Sequence, residues 1–87
     1  MMDVFVPTPL QSYTGGRARV AARGATLAEV MADLDRQFPG MRFRVIDEQD
    51  RIRQHMRLFV GSTVAADIHQ AVPEGVPVHI IAALSGG

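Results

Sequence analysis

Apolar residues recur along this chain with two different periods. Leu27, Val30, Met31, Leu34 and Phe38 follow one another at i, i+3, i+4, i+7 and i+11, which is the spacing of one helix face. Glu29, Asp33 and Arg36 fall away from that stripe, where an amphipathic helix meets water. Thr26 and Glu29 stand at the spacing of a capping box, in which each side chain satisfies the other residue's free backbone N–H. Pro39-Gly40 closes the run. A helix is therefore expected from about Leu27 to Phe38.

Elsewhere the period is two. Asp3-Val4-Phe5-Val6 is a short β-rich run closed by Pro7 and Pro9, and residues 17–21 alternate polar with apolar. Tyr13-Thr14-Gly15-Gly16 supplies turn residues between them, so the two runs predict a hairpin with a long loop. From 51 to 60 the alternation puts Ile52, Met56, Leu58 and Val60 on one face. Arg51, Arg53, His55, Arg57 and Phe59 take the other. Gly61-Ser62 fits a two-residue hairpin turn into a short strand at Thr63-Val64-Ala65. Pro73-Glu74-Gly75 turns the chain into a final strand over 76–83, with Val76, Val78, Ile80 and Ala82 facing one way. Met41, Val45 and Ile46 fit either one helical turn or a short extended segment, and Asp47-Glu48-Gln49-Asp50 reads as a polar turn.

The order is strand, strand, helix, strand, strand, strand. One amphipathic helix covers one face of one sheet, so the fold class is α+β in two layers. The helix between two strand pairs points to a β-grasp, a mixed sheet of about five strands around one main helix. Residues 1–83 form that domain, and 84–87 are expected to be a flexible tail. If Val4, Leu58 and Ile80 face the helix, alternation turns Phe5, Phe59 and Ile81 to the uncovered face. Three large apolar groups there would form a contact patch. The row Arg51, Arg53 and Arg57 would meet an acidic partner surface.

Composition narrows the function. The chain has 87 residues, enough for one domain. Cysteine is absent, which excludes disulfides, thiolate metal sites and a cysteine nucleophile. Lysine is absent too: all nine basic residues are Arg, balanced by nine Asp and Glu. Zero net charge argues against a nucleic-acid partner. No apolar run approaches the ~20 residues of a membrane span, and the start shows no signal-peptide pattern. A soluble cytoplasmic domain is expected. His55, His69 and His79 lack metal-ligand spacing, and His55 and His79 read as exposed strand residues. Ser12, Ser62 and Ser85 lack the setting of a hydrolase nucleophile, and Gly15-Gly16 leads into neither a Lys nor a helix. The chain reads as no enzyme, and no metal site is expected.

The sequence closes on Leu84-Ser85-Gly86-Gly87, directly after the last strand. Glycine has no Cβ, so such a tail threads a narrow channel and leaves its carboxylate sterically open. Five extended residues from Ala83 span about 17 Å. The ending Val78-His79-Ile80-Ile81-Ala82-Ala83-Leu84-Ser85-Gly86-Gly87, the helix start Gly24-Ala25-Thr26-Leu27 and the strand Leu58-Phe59-Val60 together resemble the ubiquitin-like sulfur carriers. That family includes the molybdopterin synthase small subunit and the thiamine-biosynthesis carrier. Pro7-Thr8, Leu10 and Thr14-Gly15-Gly16 are most similar to the carrier that serves a mycobacterial-type cysteine synthase. Two features depart from the family pattern: Ala82 stands where many relatives have Pro, and 61–72 is compressed and lacks the usual Asn-Gly turn.

The resemblance implies a protein cosubstrate. An adenylyltransferase of the ubiquitin-activating type would use ATP to activate the Gly87 carboxylate. A sulfur donor would convert it to a thiocarboxylate, and an acceptor enzyme would take that sulfur. A cysteine synthase is favoured as acceptor over the molybdopterin synthase large subunit of molybdenum-cofactor biosynthesis. Leu84, Ser85 and Gly86, with Phe5, Phe59 and Ile81, would contact these partners. The chain itself would bind no cofactor, nucleic acid or membrane. Two alternatives stay open: a ubiquitin-like modifier conjugated through Gly87, and a β-grasp binding module without tail chemistry.

Overall fold

The computed structural model describes residues 1–82. Strands β1 (Met2–Phe5) and β2 (Arg19–Ala22) form an antiparallel hairpin, with Val4 opposite Val20 and Phe5 opposite Arg19. Helix α1 (Leu27–Gln37) and a short α2 (Met41–Val45) follow. Strands β3 (Met56–Val60) and β4 (Thr63–Val64) then turn about Gly61-Ser62, and β5 (Val78–Ala82) comes last. The sheet order is β2-β1-β5-β3-β4. β5 lies parallel to β1 and antiparallel to β3, so the last strand occupies the middle of a mixed sheet.

Strand alternation decides the layers. Val4, Leu58, Val78 and Ile80 point to one face and are buried against Leu27, Val30, Met31 and Leu34 of α1. Met41, Val45 and Ile46 extend the same core from α2. Helix α1 starts where the sequence says, because its free amides are all met. The Glu29 amide donates to Thr26 Oγ1 at 3.3 Å. The Leu27 and Ala28 amides donate to the Gln70 and Ile68 carbonyls at 3.0 and 2.8 Å, so the 61–72 segment completes the cap. Ala65, Ile68 and Val72 of that segment enter the core on the helix side of the sheet. Gly24 lies so close to the helix start that a Cβ there would stand 2.6 Å from the Val30 nitrogen.

Several expectations are corrected. The Glu29 carboxylate accepts from the Ala25 amide at 2.9 Å rather than from Thr26, one residue outside the capping box. The loop between β1 and β2 holds a 3₁₀ helix, Thr8–Thr14, started by Pro9 in its first turn and closed by Gly15 at φ 66°. β2 begins at Arg19, and β5 begins at Val78, immediately after Pro77. The largest difference lies before β3. The expected strand over 51–60 is strand only from Met56. The Asp47 carboxylate accepts from the Gln49 and Arg51 amides at 2.8 and 3.0 Å, and Asp50 takes φ 62°. This tight turn sets Ile52 opposite Ile46, away from the sheet. His55 therefore sits in an exposed turn and not on a strand.

Candidate functional site

The face of the sheet away from α1 is read from the strand register. Arg19 on β2 stands beside Phe5 on β1, Phe5 beside His79 on β5, His79 beside Phe59 on β3, and Phe59 beside Val64 on β4. Alternation gives all five the same side. The Phe5 and His79 rings stack with centroids 4.7 Å apart and planes 8° from parallel. Phe5, His79 and Phe59 are each half-buried by their neighbours. Val64, at the end of this row, is 53% exposed; in the next row Ile81 lies opposite Arg57 and is 43% exposed. Phe5, Phe59 and Ile81 thus share the outward face, as the alternation predicts. The 61–72 segment does not cover them, since it packs on the helix side.

Two residues of this face escaped sequence reasoning. Its sequence setting marks His79 as a surface histidine, yet it is the link that joins Phe5 to Phe59. Val64 extends the patch to the sheet edge. The outward parity of both was legible; their neighbours were not, because strand order is not written in any local pattern.

The arginine row does not form. Arg53 leaves the sheet with the turn, donates from Nε to the Phe43 carbonyl at 2.7 Å, and lies 4.5 Å over the Phe43 ring. Arg51 stands 4.0 Å from the Asp47 carboxylate. Arg57 alone remains on β3, with one guanidinium nitrogen donating to the Gln54 and Met56 carbonyls at 2.9 Å each. Arg19, Arg57 and Asp3 are the charged strand residues of the outward face among those described.

The ladder between β1 and β5 stops at Phe5 and His79. Two residues later the chain is Pro7, which has no N–H to continue it. There the 3₁₀ helix swings away and leaves an open groove of about 390 Å³ lined by Phe5, Pro7, Pro9, Ile81 and Ala82. Ala82 delivers the chain to the end of this groove from the centre of the sheet. Beyond that point Ala83, Leu84, Ser85, Gly86 and Gly87 lie outside the described residues, and with them the expected domain boundary. Among the described residues, no three His, Asp or Glu side chains are grouped as metal ligands would be.

A carrier needs an anchored final strand, a tail leading off it and a face for partners. The sulfur carrier protein CysO of Mycobacterium tuberculosis is 29% identical over 91 aligned positions, which cover 99% of this chain and 98% of that protein. The crystal structure of M. tuberculosis CysO superposes with a TM-score of 0.91 at 27% identity, over 97% of this chain and all of the other. The chain is a homologue of the CysO sulfur carriers. It has their ubiquitin-like β-grasp fold. A chain of the Amycolatopsis orientalis BexX/CysO complex matches over the full length of both chains, with a TM-score of 0.92 and 27% identity. The small archaeal modifier SAMP1 of Haloferax volcanii shares the fold at a TM-score of 0.76 and 24% identity, over 99% of this chain and 98% of that one. No family model matches the sequence. The CysO likeness thus agrees with the resemblance read from Pro7-Thr8, Leu10 and Thr14-Gly15-Gly16. No helix among the described residues is long and apolar enough to cross a membrane.

Proposed function

We propose that this CysO homologue carries sulfur on the carboxylate of Gly87, as a thiocarboxylate, for cysteine biosynthesis. The observation that carries this reading is the end-to-end likeness to CysO, combined with a central last strand that Gly86-Gly87 follows closely in the sequence. A carboxylate is a poor electrophile until one oxygen becomes a leaving group. An adenylyltransferase partner supplies that step: a carboxylate oxygen attacks the α-phosphorus of ATP and pyrophosphate departs. Sulfur from a donor then attacks the acyl carbon and expels AMP. ATP is consumed by the partner, and this chain holds no cofactor of its own. An ATP-dependent partner fits a cytoplasmic setting.

Partners meet the outward face. Phe5, His79, Phe59 and Ile81 offer them an apolar centre beside the exit of β5, and Leu84, Ser85 and Gly86 hold the tail in the partner's channel. The CysO of Amycolatopsis is found in a complex with BexX, which supports an enzyme partner for this chain as well. Intact mass after incubation with the adenylyltransferase, ATP and sulfide tests the reading. Replacement of one oxygen by sulfur at Gly87 is the expected result. Ladders of conjugates in cell extract, with no sulfur gain, would assign the chain to the modifiers instead.

A further inference from the structure

An activated acyl end is attacked by whatever amine it meets, and the register places two cationic side chains of the outward face within its range. Residues 83–87 reach at most about 17 Å beyond Ala82. Arg57 lies opposite Ile81, one strand over and one residue back from Ala82. At ~4.8 Å between strands and ~3.3 Å per residue, that is about 6 Å away. Arg19 lies level with Phe5 and His79, two strands over and three residues back, or about 14 Å by the same spacings. Both are exposed and on the outward face. Both are within reach of the tail. The Met1 amine is not: Val4 pairs with Val78, so Met1 stands level with residue 75, about 23 Å back along the sheet. Arg23, next to Ala22 opposite Met2, marks the same far end.

Nothing in the fold demands a guanidinium at the two near positions. The contacts of Arg57 are donations to two carbonyls, which an ammonium also makes. Among the described residues the Arg19 side chain holds no ion pair or hydrogen bond. Chemically the two cations differ sharply. A guanidinium stays protonated and is no nucleophile, whereas a lysine amine loses its proton readily enough to be acylated. We propose that arginine at Arg57 and Arg19 protects the activated Gly87 end from capture by its own molecule, so that the end survives for transfer to a partner. This rests on the carrier reading for the activation itself. The step avoided is simple: an ε-amine nitrogen attacks the acyl carbon, a C–N bond forms, the C–S or C–O bond to the leaving group breaks, and the amine proton passes to water. The product is a dead internal amide.

The test needs no activating enzyme. The chain is prepared as a chemical α-thioester at Gly87, as wild type and as Arg57→Lys, Arg19→Lys and Arg23→Lys. Each is followed by intact mass at mildly alkaline pH, with folding checked by circular dichroism. Wild type and Arg23→Lys should decay to the free acid alone. Arg57→Lys and Arg19→Lys should give a product one water lighter than the acid, with peptide mapping placing the amide at the new lysine. Because a tether of five residues presents its end at about millimolar effective concentration, the internal amide should exceed cross-linked dimer by at least about tenfold at micromolar protein. Decay of both near-end variants to acid, at the wild-type rate and without internal amide, would overturn the proposal. So would cyclisation of the wild type through Met1. A failure of enzymatic adenylation would count against the carrier reading and leave this result standing.

Discussion

Phe5 and His79 stack face to face, 4.7 Å between centroids, although they are 74 positions apart in the chain. They meet because β1 and β5 run parallel at the centre of the sheet, with these two residues in register. Phe59 closes the row from β3. Two aromatic side chains and an imidazole thereby become one continuous surface. Such a stack contributes about 0.5–1.5 kcal/mol beyond its buried area.

Replacing His79 with Ala removes the link and leaves the core face of β5, Val78 and Ile80, in place. We expect a loss of about 1 kcal/mol, read as a fall of roughly 4–8 °C in melting temperature. Affinity for a docking enzyme, measured by titration calorimetry, should drop with it. An unchanged affinity would remove His79 from the docking surface.

Phe59→Asp probes the same face more severely. Phe59 lies outside the core, between His79 and Val64, so the change should cost no more than about 1–2 kcal/mol. Partner affinity should fall tenfold or more, since aromatic anchors carry a disproportionate share of interface energy. A collapse of the fold would mean that the strand faces are assigned backwards. Native stability with native affinity would place the partner elsewhere.

Gly24→Ala should be a damaging loop substitution. Its Cβ would meet the Val30 nitrogen at 2.6 Å and Glu29 at 2.8 Å, all within the first turn of α1. Backbone cannot move there without breaking the helix cap. We expect a loss of about 1–3 kcal/mol and a melting temperature lower by roughly 10 °C. Equal stability of the variant in urea would show that the loop has room to shift.

Asp33 ties the end of β2 to α1 and confers a pH dependence. The hydrogen bond from Arg36 holds its carboxyl below the ordinary 3.8. Partial burial opposes this, and the Arg23 amide and Gln37 side chain reinforce it. A depressed carboxyl binds fewer protons in the folded state than in the unfolded one. Its stabilisation is therefore full above about pH 4 and is lost as pH falls through the folded value. Asp33→Asn should lower stability at pH 7 and flatten the acid side of the curve. Urea titrations at pH 7 and pH 3 check this: equal losses in wild type and variant between the two would exclude Asp33 as the cause.

The main helix, the central stretch of each strand and the inward face of both were determined by the sequence alone. The reason is that all three are local. Thr26 and the stripe from Leu27 to Phe38 define α1 within a few turns of chain, and alternation sets Phe5, Phe59 and Ile81 opposite Val4, Leu58 and Ile80 whatever their neighbours are. The closing Gly86-Gly87 is equally a local signal. Tertiary structure decided what stands beside what. Period-two alternation from 51 to 60 looked like one strand, but Asp47 and Asp50 fold its first half into a turn, and the arginine row dissolves with it. Side-chain hydrogen bonds to a few backbone amides outweighed the pattern there. The helix cap needed the Gln70 and Ile68 carbonyls, more than forty residues away from Leu27 in the chain. The stacking of His79 on Phe5, and the placing of Arg57 and Arg19 near the exit of β5, follow from the order β2-β1-β5-β3-β4. That order is a matter of non-local pairing, settled only when five strands and a helix must bury one core together.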